Sequence, residues 1–293
     1  MHPGALGDLV LAVPALRALR ASVPDRRLIV AAQPRPGALL AALAVADEAR
    51  DLDALGLDAL FTDDATLQPR LPAVDRLVCW LGARDPAFSR RLRAIVPGAV
   101  VAPSVGDSDL VWRHLLETIG SPSGDWRAPV RLAASVAAQG DAILRAAGWD
   151  GERRVMIVHP GASGPAKRWA VEGFAAALAA MPRDITVVVH QGPTDADAAD
   201  GLVARRREWL LLREPALPAL AGALARAAGY VGNDSGVSHL AAAVGTPAVV
   251  LFASANLKWR SWAEAARALT VTPGQASSAD VTAVTGEVLR LLA

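Results

Sequence analysis

The sequence predicts an α/β protein with two domains, and three observations support this. The chain has 293 residues, which suits two domains of about 140 residues each. Segments typical of buried strands alternate with segments of helical periodicity along most of the chain. The helical segments are long enough to connect parallel strands. Two such halves give two Rossmann-like domains facing a cleft, with ligands at the carboxyl ends of the strands.

The first half of the chain has the weaker pattern. Its predicted elements are a helix over 9–21, a strand over 27–32, a helix over 39–46, a strand over 75–81 and a helix over 110–119. Asp109 is positioned to cap the last of these helices. The segment 4–8 opens the first helix and should follow a strand, but only Met1, His2 and Pro3 precede it. We therefore expect the first strand, normally central in such a sheet, to be absent or very short.

The second half has a clearer pattern. The predicted strands cover 154–158, 185–189, 209–212, 230–232 and 248–252. The predicted helices cover 133–147, 171–180, 195–207, 217–228, 236–244 and 279–292. We expect one domain over 1–130, a second over 131–275, and a C-terminal helix within 276–293.

Composition argues against several functional classes. The chain has 30 basic and 29 acidic residues, a net charge of +1, which disfavours nucleic-acid binding by bulk electrostatics. Cys79 is the only cysteine, so an internal disulfide and a multi-cysteine zinc site are excluded. The apolar run over 240–257 is interrupted by Gly245-Thr246-Pro247, which predicts a helix end rather than a membrane span. The N-terminus lacks a basic region before its apolar stretch, so we expect a cytoplasmic protein without a signal peptide.

A strand-to-helix junction in the second half is suited to bind an anion. Ser235 and Gly236 fall at the predicted helix start, where free N–H groups and the helix dipole attract phosphate. His239 follows one turn later on a nearby face. Alternatively, Asp234 or Ser235 is only a helix cap and His239 is partly buried. The spacing alone does not decide between these interpretations.

The loop 159–169 is a second candidate phosphate site. It leaves a predicted strand and contains two glycines and two prolines. Its N–H groups, the Ser163 hydroxyl and the Lys167 ammonium could hold a phosphate, although the spacing is not that of a Walker A loop. A plain connecting loop is the alternative, but this composition at the carboxyl end of a strand favours a functional role.

Four further charged residues are candidates with ordinary alternatives. Asp8 could accept a proton from a substrate hydroxyl, but a first-turn helix acid is the better local interpretation. Asp195 could bind a ribose hydroxyl or cap its helix. Arg35 and Arg84 could bind an anionic acceptor, although a solvated arginine is the commoner case at Arg84. We find no ligand spacing for a metal and no dinucleotide-binding fingerprint, so no metal site and no cofactor are predicted.

Three ordered blocks of the sequence resemble glycosyltransferase family 9, the ADP-heptose:lipopolysaccharide heptosyltransferases. The blocks are Gly4-Ala5-Leu6-Gly7-Asp8 with the segment to Arg20, His159-Pro160-Gly161 with Lys167-Arg168-Trp169, and Asn233-Asp234-Ser235-Gly236 with His239 and Gly245-Thr246-Pro247. Trp112 to Gly120 also resembles the family's helix before the linker. The resemblance spans nearly the whole chain and is more specific for the family than for the sugar transferred.

The resemblance implies a GT-B fold and an inverting, metal-independent transfer of heptose from ADP-heptose to a lipopolysaccharide core or related glycan. It implies an N-terminal domain that binds the acceptor and a C-terminal domain that binds the nucleotide sugar. Asp8 would be the general base. The donor would be held by Ser163, Lys167, Ser235 and Gly236 at its diphosphate, by Asp234 and His239, and by Asp195 at the ribose. Such an enzyme would have no nucleic-acid partner, and any contact with the cytoplasmic face of the inner membrane would come through its acceptor.

The sequence departs from the family at two places. The first strand is lacking, and His2 stands where the family has a basic residue. After Phe252 the chain continues with 253–260 instead of the usual glycine, hydroxyl residue and Trp-Pro pair, which affects the adenine and sugar edge of the donor pocket. Two other functions remain as alternatives. A sugar-nucleotide 2-epimerase shares the fold but needs several acid/base residues, and a non-catalytic sugar-nucleotide-binding protein would be derived from a transferase.

Overall fold

The computed structural model describes residues 1–64, 66–120 and 123–293 and divides into two compact α/β units. The first unit comprises Met1–Trp126 and the second Arg127–Ala293. In the part of the chain that is described, no helix is both long enough and apolar enough to cross a membrane.

The first unit is built from short strands and amphipathic helices. Its strands are β1 (Ile29–Ala32), β2 (Glu48–Asp51), β3 (Val78–Cys79) and β4 (Val100–Val101). Its helices are α1 (Leu6–Leu11), α2 (Val13–Ser22), α3 (Pro34–Ala42), α4 (Pro86–Ile95) and α5 (Val111–Glu117), with 3-10 turns at Asp53–Leu55 and Leu57–Phe61. β1 pairs with β2 and β3 pairs with β4, each in parallel.

Met1 and His2 bridge these two strand pairs. The N–H of His2 donates to the carbonyl of Ala31 in β1 at 2.9 Å. On the other side, the Met1 amino group donates to the carbonyl of Val78 at 2.7 Å, and the N–H of Trp80 donates to the Met1 carbonyl at 3.0 Å. Two residues therefore occupy the central position of the sheet, in agreement with the shortened first strand that the sequence predicts.

A cavity of about 920 Å³ lies beside this bridge. Its lining includes apolar side chains from α2, β1 and the segment before β3, among them Leu16, Val30 and Val74. The amino group of Met1 is buried next to it, and this burial lowers the pKa of the ammonium. Exposed charged side chains, among them Arg26, Arg27 and Asp75, also line the cavity, so it opens to solvent on one side.

Several predicted bounds in the first unit are wrong, for local reasons. The first predicted helix is divided at Ala12, because Pro14 lies in the first turn of a second helix. The helix predicted from residue 39 begins at Pro34, and Ala44, with φ of 53°, follows its end. Asp109 does not cap α5; its carboxylate pairs with Arg113 at 2.8 Å instead. The sequence pattern did not predict β2, β4 or α4.

The second unit contains a six-stranded parallel sheet. Its strands are β5 (Arg154–His159), β6 (Ile185–Gln191), β7 (Leu210–Arg213), β8 (Gly229–Asn233), β9 (Ala248–Phe252) and β10 (Ala266–Thr270), of which only β10 was not predicted. Its helices are α6 (Ala134–Ala146), α7 (Val171–Ala177), α8 (Ala196–Arg205), α9 (Leu217–Arg226), α10 (Gly236–Ala243) and α11 (Ser278–Leu292). The predicted bounds of β5 to β9 differ from the observed bounds by no more than two residues at either end.

The strand order of this sheet is β10-β9-β8-β5-β6-β7. This is the doubly wound order, in which the chain moves outward from a central strand first in one direction and then in the other. Buried side chains of α7, α8 and α11, including Phe174, Leu202 and Val288, share one core with the central strands. The order reverses between β5 and β8, so the loops that follow these two strands leave the same edge of the sheet side by side.

Candidate active site

The candidate donor site lies at this reversal of the strand order, where ligands of doubly wound sheets bind. The loop after β5 carries Ser163, which is exposed, and Lys167, which is half-buried in a 3-10 turn. β8 leads directly into α10 through Asp234 and Ser235. The structure therefore brings the two phosphate-binding segments predicted from the sequence to neighbouring positions.

The start of α10 is capped by Ser235 and not by Asp234. The Ser235 hydroxyl accepts a hydrogen bond from the N–H of Ser238 at 3.3 Å. Ser235 and Gly236 are both partly exposed, and the first N–H groups of a helix have no partner within it. This end of α10 can therefore bind an anion, because its N–H groups and the helix dipole both favour negative charge.

Asp234 joins Lys167 to His239. Its Oδ2 lies 2.8 Å from Nζ of Lys167, and its Oδ1 lies 3.6 Å from Nε2 of His239. The carboxylate and the imidazole are almost completely buried, whereas the Lys167 side chain is 32% exposed. The Oδ2 contact is an ion pair without aligned hydrogen-bond geometry. The carboxylate thus fixes the ammonium beside α10 and leaves part of it accessible.

The electrostatic balance keeps Asp234 ionised. Burial alone would raise the pKa of this carboxyl, but contacts with His239 and Lys167 outweigh burial and hold the pKa below its ordinary value. The site therefore has one permanent negative charge in its wall. Lys167, together with the α10 N-terminus, supplies a positive potential at the accessible part of the site, which favours an anionic ligand.

Asn233 connects the two segments, a role that was not predicted from the sequence. It is the last residue of β8 and is fully buried. Its Oδ1 accepts from the N–H of Trp169 at 3.0 Å, and its Nδ2 donates to the carbonyl of Pro160 at 2.7 Å. A buried amide at the end of a strand needs partners for both of its polar atoms, and that requirement was the available signal in the sequence.

Asp195 belongs to a separate buried cluster. Its carboxylate accepts from the N–H groups of Gly192 at 3.3 Å and Thr194 at 3.2 Å, and lies 3.5 Å from Nδ1 of His159. The closeness of Asp195 explains Gly161, since a Cβ there would lie 1.8 Å from the carboxylate. The structure thus gives Asp195 a role in holding its own loop, and its contact with a ribose stays a prediction.

His159 and His190 form the rest of this cluster. Their Nδ1 atoms lie 3.0 Å apart, and both side chains are buried. Burial lowers the pKa of both imidazoles, and at His190 the neighbouring His159 lowers it further. Both rings are therefore neutral near pH 7.

Asp8 is the third residue of α1 and is partly exposed. Its Oδ2 accepts from the N–H of Ala5 at 3.1 Å, as expected for an acid in a first helical turn. Its Oδ1 makes no hydrogen bond within the described part of the chain. His2 lies close by and accepts from the N–H of Gly4 at 3.0 Å, while burial lowers the pKa of His2 to about 3. His2 is therefore neutral and does not replace the family's basic residue electrostatically.

Arg35 and Arg84 also follow strands of the first unit. Arg35 lies in the first turn of α3 just after β1, and Arg84 lies in the turn between β3 and α4. Both side chains are exposed, and neither forms an ion pair with another described residue. Across residues 1–64, 66–120 and 123–293, no group of three His, Cys, Asp or Glu side chains is arranged to hold a metal ion.

Comparison with known proteins identifies the family. Residues 119–287 match the family model described as glycosyltransferase family 9 (heptosyltransferase), and this match covers more than half of the chain. Among curated proteins, no sequence matches significantly. The match confirms the resemblance seen in the sequence and the prediction of a glycosyltransferase.

Solved structures of similar proteins confirm the fold. ADP-heptose lipopolysaccharide heptosyltransferase II of E. coli matches with a TM-score of 0.73 at 19% identity, over 99% of this chain and 96% of that chain. A family 9 glycosyltransferase of Veillonella parvula gives 0.77 at 17%, over 99% and 95%. E. coli heptosyltransferase WaaC with ADP gives 0.70 at 14%, over 99% and 98%. With a GT-B fold along its whole length and a family match over residues 119–287, the chain belongs to glycosyltransferase family 9.

Proposed function

We propose that this enzyme transfers heptose from ADP-heptose to a hydroxyl group of a lipopolysaccharide core or a related glycan, with inversion and without a metal ion. The observation that carries the proposal is the placement of Lys167, held by Asp234 beside the open N-terminus of α10. A solved relative was obtained with ADP and another bears ADP-heptose in its name, which supports the choice of donor.

In this proposal the second unit binds the donor. Its diphosphate lies between the loop after β5 and the start of α10, and is bound by Ser163, Lys167, Ser235 and Gly236. Asp234 and His239 complete the donor site, and Asp195 is the candidate for the ribose. Charge-assisted contacts from lysine and from helix N–H groups replace the positive charge of a metal ion.

The reaction forms a bond from the acceptor oxygen to the anomeric carbon while the bond from that carbon to the diphosphate breaks. Asp8 takes the acceptor's proton, for which its free Oδ1 is available. ADP leaves with an additional negative charge, and Lys167 and the α10 N-terminus stabilise that charge as it develops. Arg35 and Arg84 are the candidates to bind an anionic, glycan or lipid-linked acceptor.

The first prediction tests the donor site. Lys167→Ala should weaken ADP binding roughly tenfold to a hundredfold, because a charge-assisted contact with phosphate contributes about 1.5–3 kcal/mol. Isothermal titration calorimetry with ADP, performed in EDTA, measures the effect. Arg153→Ala is the matched control, since it removes a positive charge just before β5, at the opposite edge of the same sheet.

Three results would each contradict a part of the proposal. Unchanged ADP affinity in Lys167→Ala would remove Lys167 from the site, and an equal loss in Arg153→Ala would reduce the effect to net charge. If the wild-type protein bound ADP only when Mg²⁺ replaced EDTA, the metal-independent mechanism would be contradicted.

A further inference from the structure

We infer that Asn233 is a positioning residue of the donor site, and that its amide fixes Lys167 relative to the start of α10. This inference rests on the proposed function and deepens it. Asn233 would not contact the substrate. It would act by setting where the loop 160–169, which we call the lysine loop, lies against the end of β8.

The amide clamps the lysine loop at both of its ends. Nδ2 donates to the carbonyl of Pro160, where the loop leaves β5. Oδ1 accepts from the N–H of Trp169, where the loop ends before α7. One buried side chain therefore contacts both ends of the loop, and Lys167 lies between them.

The end of the lysine loop has two other anchors: the N–H of Gly274 donates to the carbonyl of Arg168 at 2.8 Å, and the Trp169 side chain is buried in the core of the unit. The loop's regular structure is limited to the 3-10 turn Pro165–Lys167. Arg168 adds hydrogen bonds to the carbonyls of Ala162 at 3.1 Å and Thr194 at 3.0 Å, which tie the loop to itself and to the segment after β6. Asn233 links it to the strand that leads into α10.

The position of Asn233 in the chain couples this clamp to the phosphate site. The next residue, Asp234, holds the Lys167 ammonium, and the one after that, Ser235, caps α10. Two consecutive side chains of one strand end thus hold the backbone of the lysine loop and its cation. A change in the amide contacts should therefore alter the distance from Lys167 to the α10 N–H groups. In the proposed function both groups bind the diphosphate, so this change should weaken its binding.

The experiment compares Asn233→Ala with Thr246→Val. Each substitution removes buried side-chain hydrogen bonds to backbone in the same unit. Thr246 donates to the carbonyl of Leu224 at 2.7 Å and precedes β9, at the edge of the sheet opposite the donor site. Both variants should melt at lower temperature, but only Asn233→Ala should lose affinity for ADP, by roughly tenfold in calorimetry. Wild-type affinity in Asn233→Ala, or an equal loss in Thr246→Val, would overturn the inference.

A double-mutant cycle with Lys167→Ala tests whether Asn233 acts through the lysine. If it does, Asn233→Ala should cost much less ADP affinity in the Lys167→Ala background than in the wild type, because there is no ammonium left to position. Additive losses would show that Asn233 acts independently of Lys167 and would contradict the proposal.

Two further measurements keep the inference testable if Asn233→Ala does not fold or if the protein does not bind ADP. Asn233→Leu keeps nearly the same side-chain volume and removes both polar atoms, so it serves if the cavity in Asn233→Ala prevents folding, and it should show the same loss of affinity. Hydrogen exchange of the lysine-loop amides is independent of ligand, and should rise in Asn233→Ala but not in Thr246→Val. Wild-type protein that fails to bind ADP would refute the proposed donor, whereas unchanged exchange would refute the clamp.

Discussion

Asp8 combines a structural contact with a free carboxylate oxygen, and one substitution separates the two roles. Its Oδ2 accepts from the N–H of Ala5, and an asparagine oxygen can accept the same bond. Asp8→Asn should therefore keep the fold and ADP affinity. Turnover in a transfer assay with ADP-heptose and a deacylated core acceptor should fall roughly 10²–10⁴-fold, because the amide cannot take the proton.

The control for this prediction is Asp150→Asn in the second unit. Asp150 accepts from the N–H groups of Glu152 and Arg153, so its carboxylate also organises a turn, but at the opposite edge of the sheet from the donor site. Its turnover should equal that of the wild type. More than half of wild-type turnover in Asp8→Asn would leave Asp8 with a structural role alone.

Individual residues show how far the sequence could predict the site. The family resemblance made Lys167, Asp234 and His239 candidates for the donor site, and the sequence left open whether Asp234 or Ser235 caps α10. The structure selects Ser235, because the Asp234 carboxylate is turned to Lys167. That contact joins two loops far apart in the chain, so local spacing could not reveal it. The amide of Asn233 was missed for the same reason.

At the scale of the elements, α6 and α9 cross in close contact at two glycines. A Cβ on Gly140 would lie 2.1 Å from the backbone carbon of Gly222, and a Cβ on Gly222 would lie 2.2 Å from the carbonyl oxygen of Val136. Because these neighbours are backbone atoms, the helices would have to separate. Gly140→Ala should lower the free energy of unfolding by about 1–3 kcal/mol, despite the better helix propensity of alanine.

Gly286 in α11 is the matched control for the helix crossing. No atom lies within 4 Å of a Cβ added there, so Gly286→Ala should be neutral or stabilising by up to about 1 kcal/mol. Denaturant unfolding of both variants measures the difference. Stabilisation in both would mean that the crossing tolerates a methyl group.

The two units also differ in how well the sequence predicts their elements. In the second unit, β5, β6 and β9 are buried almost throughout, and such strands are continuous apolar runs that a sequence shows directly. In the first unit, β3 and β4 have two residues each, and such strands are too short to show an alternation of apolar and polar residues. There the sequence predicted the class of structure but not its bounds.

For the whole molecule, buried neutral histidines predict sensitivity to mild acid. Burial lowers the pKa of His2 from 6.5 to about 3, and burial also lowers the pKa values of His159 and His190. Below pH 6.5 the unfolded chain therefore binds more protons than the folded protein, so the free energy of unfolding falls as the pH decreases towards 3. Each histidine contributes up to about 1.4 kcal/mol per pH unit.

Melting temperatures between pH 7.5 and 5 check this prediction. His190→Gln should show a weaker dependence of melting temperature on pH than the wild type. The lowered pKa of Asp234 makes stability depend on pH only below about 3.8, the ordinary pKa of an aspartate carboxyl, which lies outside this range. A melting temperature that does not change from pH 7.5 to 5 would contradict the assignment of neutral buried histidines.

The cavity of the first unit leads to the last prediction. Residues of a parallel strand bond alternately to their two neighbours, so Ile29 presents its backbone to the same side as Ala31, which binds His2. A four-residue apolar extension before Met1, such as Val-Leu-Val-Val, could therefore continue the pairing that Met1 and His2 begin and occupy the apolar part of the cavity.

Burial of each apolar side chain contributes about 1.5–3 kcal/mol, and ordering each residue's backbone costs about 1–2 kcal/mol. Removal of the charged ammonium from its buried position adds to the gain, because that group is disfavoured by burial. The apolar extension should raise the melting temperature by several degrees and reduce the binding of a hydrophobic dye. A polar extension of the same length, Asp-Gly-Asn-Ser, should do neither, and equal melting temperatures for the two would show that the cavity does not accept a strand.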